Sequence, residues 1–156
     1  MGDLSIYEAA GGRDAMLRVA AAWHDRAIAD PVVSHAFDRG TKPDHVERLA
    51  AYLVEALGGP ADYTGHFGDH ADVVRLHSGN GEHEELNVRA IECFAGALHD
   101  AGVAANIEIY DAMLSYWSWA TWYPMYAYHE SPADVPAKLP MPQWDWAQTA
   151  TFREPQ

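Results

Sequence analysis

Three histidines, His24, His45 and His77, fall on the apolar sides of three different predicted helices. Imidazoles that converge from separate helices usually hold a metal or a metal cofactor, because a neutral ring nitrogen is a ready ligand and the other nitrogen can be oriented by a protein partner. A single histidine on an apolar helix face is more often a hydrogen-bonded core residue, since its ring is half hydrophobic. Three such residues on separate helices shift the balance toward a site.

The elements that must position them are helical. Asp14 to Ala29 reads as a long helix, with Leu17, Ala20, His24, Ala27 and Ile28 on one stripe, ended by Asp30-Pro31. A short helix through Val32, Val33, Ala36 and Phe37 closes at Gly40. Thr41 and Asp44 are placed to satisfy orphan amides of a helix from about Pro43 to Leu57, which stops at Gly58-Gly59-Pro60 and carries His45, Leu49, Leu53 and Ala56 inward. Val73, Val74 and His77 define a short helical piece cut off by Ser78-Gly79-Asn80-Gly81. The next helix opens on Glu82, Glu84 and Glu85, which complement its positive dipole end, and runs to about Asp100 through Leu86, Ala90, Cys93, Phe94 and Leu98. The last long helix starts near Asn106, carries Ile109, Tyr110, Met113, Leu114 and Trp117 inward, and is expected to kink at Pro124. Four prolines between Pro132 and Pro142 predict an extended tail over residues 131–156, pinned by Trp144, Trp146 and Phe152, behind a domain of residues 1–130.

With 156 residues, 49% of them hydrophobic and six of them Trp, the chain can bury a single core without disulfides or metal staples. The lone Cys93 cannot form an internal disulfide and reads as a core thiol in a reducing compartment. The N-terminal residues lack a basic region followed by an apolar run, so the expectation is a cytoplasmic protein that neither spans nor binds a membrane. A formal net charge of −13 disfavours nucleic acid and anionic lipid as partners and steers toward basic proteins.

Tyr7-Glu8-Ala9-Ala10-Gly11-Gly12, Phe37 after a Pro-broken turn, Gly58-Gly59-Pro60 with Tyr63, and His77 on a short helix inside a long loop occur in an order that resembles the truncated haemoglobins, in particular their second group. The resemblance covers roughly residues 5 to 125. It implies an all-α fold in which four main helices, two over two, sandwich a haem b. By the same resemblance His77 is the proximal ligand and Phe37 packs on the haem face. Val73 and Val74 face the porphyrin beside His77, and Leu49 roofs the pocket. Arg48 is a candidate partner for a haem propionate, since a guanidinium fork suits a carboxylate, with a solvated surface arginine as the alternative. His70 and His83 are the competing ligands. They rank lower because His70 starts its segment and His83 lies among glutamates.

The distal side departs from the family pattern. Group II members usually carry Tyr where this chain has His24, and that phenol donates a hydrogen bond to the ligand. His45 matches the distal-helix position nearest the ligand. The family's Trp over the ligand is replaced by Ala90, with Trp117 as a steric substitute from the last helix, so a wider pocket is expected. The implied function is binding of dioxygen or another diatomic ligand at one haem, with His24 and His45 as the candidate catalytic residues. The alternative is a haem-dependent redox enzyme, peroxidase-like or detoxifying nitric oxide, served by a reductase and taking peroxide. A further alternative is a haem-free, His-rich helical metalloprotein, against which stands the lack of Glu-x-x-His spacing on two helices. A monomer and a homodimer are equally compatible with the sequence.

Overall fold

The computed structural model describes residues 3–38 and 40–155. Among them are seven α-helices and no strand: α1 (Ile6–Ala10), α2 (Gly12–Ala29), α3 (His45–Ala56), α4 (His70–Leu76), α5 (Glu84–Asp100), α6 (Ile107–Trp122) and α7 (Trp146–Thr151). No helix among the described residues is long and apolar enough to cross a membrane. α2 packs on α3, α5 packs on α6, and α2 joins the two pairs by crossing α5. This is the expected two-over-two arrangement.

The face that α2 buries differs from the expected stripe. Ala15, Met16, Val19, Ala20, Trp23 and Ala27 are buried, whereas Leu17 is 44% and Ile28 50% exposed. Because α2 lies between α3 and α5, small side chains let both neighbours approach its axis, and the two larger aliphatics are left outside. His24 stands at the edge of the buried face, half-buried.

Two glycines fix how α1 meets the end of α3. Tyr7 donates its backbone N–H to the Leu57 carbonyl at 2.9 Å. A Cβ on Gly58, at φ 98°, would lie 2.7 Å from the Ser5 Cβ, and one on Gly59 would lie 2.7 Å from the Val54 carbonyl oxygen. Only glycine allows the strands of chain to pass this closely. Beyond this corner the buried carboxylate of Glu55 accepts from the amides of Tyr63 and Thr64 and from the Thr64 hydroxyl, at 2.7 to 3.1 Å. It holds the loop that leads to α4.

Several helix ends differ from expectation. α3 starts at His45, and the Asp44 carboxylate, instead of capping it, accepts from Arg48 Nε at 2.9 Å. α4 starts at His70, capped by Asp69, so the short helix is longer on its N-terminal side than Val73 to His77. α6, capped by Asn106, ends at Trp122, so Pro124 terminates the helix rather than kinking it. The tail is not extended throughout: Asp145 and Gln148 form a reciprocal capping box that starts α7. Trp144 is only 5% exposed, and its backbone N–H donates to the Ala56 carbonyl at 2.7 Å. Trp146 Nε1 donates to the Leu4 carbonyl at 2.9 Å.

The Trp144 ring packs on Tyr116, Trp119 and Phe152, so it belongs to the main core. Trp144→Ala should therefore lower the unfolding free energy by about 3–5 kcal/mol, the cost of emptying a large core site. Chemical denaturation measures the loss, and limited proteolysis should find the tail cut first. An unchanged midpoint would mean that the tail is not part of the folded unit.

Candidate cofactor site

α4 sets the geometry of the site. It packs on the turn at Pro132–Asp134 and stands apart from the long helices. One cross-link spans the gap: the Tyr52 hydroxyl lies 2.9 Å from His70 Nδ1. On α3, His45, Leu49 and Tyr52 share a face at spacings of four and seven; on α4, His70 and His77 share one at a spacing of seven. The two faces look at each other, and the His77 imidazole contributes to holding the pKa of His45 down.

His77 is the C-cap of α4. Its Nδ1 lies 2.8 Å from the Val73 carbonyl, which can only accept, so the ring proton sits on Nδ1 and Nε2 carries a bare lone pair. The residue has accessible surface, yet protein surrounds it closely enough that desolvation is the main cause of a lowered pKa. The Val73 carbonyl opposes that shift and His83 adds to it. The ring therefore keeps surface through which a group could reach it. A neutral imidazole, its tautomer fixed by a backbone carbonyl and its Nε2 directed outward, is what haem iron requires of a ligand. The residues present thus fit the group that the resemblance implies.

The competing histidines are committed elsewhere. The His70 Nδ1 is held by the buried Tyr52 hydroxyl, 2.9 Å away, and the residue is only 4% exposed. His83 caps α5, half-buried, with Nδ1 3.0 Å from Asn87 Oδ1 and its ring against Tyr126. It is therefore less solvated than its glutamate neighbours suggest.

Opposite His77, the Nδ1 atoms of His24 and His45 lie 3.1 Å apart. Phe37 presents its edge to both rings, with centroids 5.6 Å away. Burial, then His24 and His77, lower the pKa of His45, while Asp44 opposes them. With both rings neutral, an Nδ1-to-Nδ1 hydrogen bond requires one ring to be the Nδ1–H tautomer and the other the Nε2–H tautomer. The pair therefore offers one N–H donor and one lone pair at its two Nε2 atoms. The three histidines do not meet at a point, and among the described residues no three His, Cys, Asp or Glu side chains gather as a metal-binding group.

The remaining expected residues divide. Leu49 and Val73 are half-buried against the core, each with some surface left. Val74 is fully buried against Ala71 and Val135 on the tail side of α4, so its side chain has no surface to offer a porphyrin. Arg48 pairs with Asp44 and lies over the Phe67 ring, 4.9 Å from its centroid. Ala90 is buried, and its carbonyl accepts from Trp23 Nε1 at 3.1 Å, so the Trp23 indole occupies space beside the missing family Trp. Trp117 stacks on Phe94 at 4.2 Å and meets Trp23 at 5.0 Å, joining the same aromatic wall. Tyr52, Tyr63 and Phe67, which close the inner end, were not expected from the sequence. The spacing of seven from His45 to Tyr52 was the available signal.

Burial holds His45, His70 and His77 below their ordinary 6.5. The folded state thus keeps them neutral where the unfolded chain takes up protons, so stability is full above that value and is lost as pH falls through it toward the folded-state pKa values. The thermal midpoint of the cofactor-free protein should drop as pH is lowered below about 6.5, and His70→Gln should flatten part of that dependence. A midpoint flat across this range would show that the three rings titrate normally.

Comparison with known proteins completes the assignment. Residues 5–119 match the model of the bacterial-like globin family. The group 1 truncated haemoglobin GlbN of Mycolicibacterium paratuberculosis is 32% identical over 104 residues, 66% of this chain and 69% of that protein. The structure of a haemoglobin from the thermophilic phototrophic bacterium Chloroflexus aurantiacus superposes with a TM-score of 0.67 at 26% identity, over 79% of this chain and 98% of that one. The group II truncated haemoglobin of Bacillus anthracis shares the fold, with a TM-score of 0.69 at 19% identity over 80% and 92% of the two chains. The family match, which spans most of the chain from residue 5 to residue 119, makes this chain a member of the bacterial-like, truncated globin family.

Proposed function

We propose that the protein binds one haem b between α3 and α4, with His77 as the proximal ligand, and takes dioxygen or another small diatomic ligand on the side of His24 and His45. The observation that carries this reading is the His77 tautomer: a neutral ring, protonated on Nδ1 by virtue of Val73, with a bare lone pair at Nε2. When bound, haem supplies an iron with one axial position for a protein imidazole and a second for a small ligand. Phe37, Leu49 and Val73 are proposed to line its faces and Arg48 to reach a propionate, since its Nε is held by Asp44 while the rest of the guanidinium fork keeps donors to give.

On the distal side the histidine pair performs two tasks. The Nε2–H of one ring donates to the ligand, and the Nε2 lone pair of the other is a proton acceptor. Their Nδ1 contact couples the tasks, because a proton gained at one Nε2, passed along Nδ1–H···Nδ1, and matched by release of the Nε2 proton of the second ring exchanges the roles of the two rings. A lone pair beside a donor specifically favours a second reading, in which the protein also reacts with peroxide or detoxifies nitric oxide. Either redox reading needs an electron source, and the net charge of −13 suits a reductase with a basic docking face in the same cytoplasmic compartment.

His77→Ala tests the proximal assignment. The variant should keep its helical circular dichroism, lose the Soret band on gel filtration after haem addition, and fail to gain thermal stability from haem, since a ligand that binds only the folded state raises its midpoint. An unchanged Soret spectrum would refute the assignment.

The distal pair is tested by ligand dissociation. Replacing His24 or His45 by Ala removes a hydrogen bond to a polar ligand worth about 1.5–3 kcal/mol, so dioxygen should leave about ten- to a hundredfold faster by stopped flow. Because each ring fixes the tautomer of the other, both variants should be affected. Unchanged rates in both would place the pair away from the ligand.

A further inference from the structure

Tyr52 is buried, and its hydroxyl lies 2.9 Å from Nδ1 of the buried His70. Among the described residues no other tyrosine has an imidazole nitrogen at hydrogen-bond distance. The pair bridges α3 and α4, seven residues along α3 from His45 and seven residues before His77, the C-cap of α4. On its far side His70 lines an open apolar groove of about 530 Å³ formed with Trp119, Trp122, Tyr123, Leu139 and Met141. The phenol is thus buried in the core, and the imidazole connects it to the edge of a groove open to solvent.

Removing an electron from a phenol makes its O–H strongly acidic, so a buried tyrosine is oxidised readily only if a base takes the proton in the same event. Nδ1 of His70 is such a base, since desolvation keeps the ring neutral. Simple ionisation of Tyr52 is disfavoured by the same burial. The arrangement is therefore poised for loss of electron and proton together. Beyond Tyr52, the rings of Tyr63, 5.4 Å away, and Phe67 shield it from water.

We propose that Tyr52 and His70 form a proton-coupled redox pair that returns an electron to the haem after its oxidation by hydrogen peroxide. With haem bound, one hydrogen peroxide would leave the cofactor two oxidising equivalents, one peroxide oxygen departing as water and the other as a second water once two electrons and two protons have been delivered; Tyr52 supplies the first of those electrons. Tyr52 then gives one electron to the oxidised cofactor while its O–H bond breaks and the proton forms an N–H bond at His70 Nδ1. A one-electron reductant of the phenol or thiol class then returns an electron to Tyr52 as the His70 Nδ1 proton moves back to its oxygen, and a second equivalent of the same reductant, with two protons from solvent, completes the reduction. This inference rests on the haem reading above.

The experiment is freeze-quench electron paramagnetic resonance of the haem-loaded ferric protein mixed with stoichiometric hydrogen peroxide. The expected result is a tyrosyl signal that is lost in Tyr52→Phe and reduced in His70→Gln, both variants retaining the parent Soret band. A tyrosyl signal of parent intensity in Tyr52→Phe would overturn the proposal. A ring-fluorinated tyrosine incorporated at position 52 keeps the volume and the hydroxyl, and guards against a misfolded variant. Fluorine hyperfine splitting of the signal supports the assignment, and an unsplit signal overturns it. Failure of the parent protein to develop a Soret band with haem would instead overturn the cofactor reading, before any peroxide is added.

Discussion

The site depends on a hydrogen bond within one turn of helix, from His77 Nδ1–H to the Val73 carbonyl. At a helix C-terminus the last carbonyls lack amide partners, and a side-chain donor there satisfies one of them. The same bond settles which nitrogen of the imidazole is free. A local solution to a backbone problem thus produces a directed lone pair, and desolvation keeps it from being protonated. The remaining requirement is that α3 and α4 be held apart, and this falls to Tyr52 and His70, whose side chains meet across the gap in place of close helix packing.

The distal pair shows how replacing a phenol by an imidazole alters more than size. A tyrosine carries its one donor wherever its hydroxyl points. His24 instead shares its Nδ1 with His45, so neither ring can choose its tautomer alone. Phe37, edge-on to both rings, restricts their rotation. If Ala90 stands at the family's Trp position, as the sequence resemblance implies, the place of that Trp is taken in part by Trp23, whose N–H is anchored to the Ala90 carbonyl and whose ring meets Trp117. Volume given up by one helix is filled in part from another.

Much of this was legible in the sequence, and the failures have specific causes. The glycine pair at Gly58-Gly59 was visible as a stop, and its reason, the close passage of Ser5 and Tyr7, is a tertiary contact. The four long helices were legible because apolar periodicity over three or more turns is a strong signal. The buried face of α2 was misjudged because two stripes compete on it, and the one with larger aliphatics lost to the one with Ala15, Val19, Ala20 and Trp23, which permits two close helix neighbours. Asp145 and Gln148 have the spacing of a capping box and announce α7, but the prolines before them masked it. His70 looked like a segment start because its partner, Tyr52, lies eighteen positions away in the chain.

The part of the chain after residue 119, beyond the family match, carries structural weight at the site. α4 is a seven-residue helix with little packing against the long helices. Its back is covered by the tail: Ala71 and Val74 pack on Val135, and Arg75 donates to the carbonyls of Pro136 and Ala137 at 3.1 and 3.3 Å. The tail is fixed in turn where Trp144 donates to Ala56 at the end of α3 and inserts its ring beside Tyr116. A helix too short to hold itself is thereby tied through the tail to the end of the helix that bears His45. The separation between the two faces of the cavity is consequently set twice, by the Tyr52 and His70 side chains inside and by the tail outside. Any motion of α4 toward or away from α3 must disturb both.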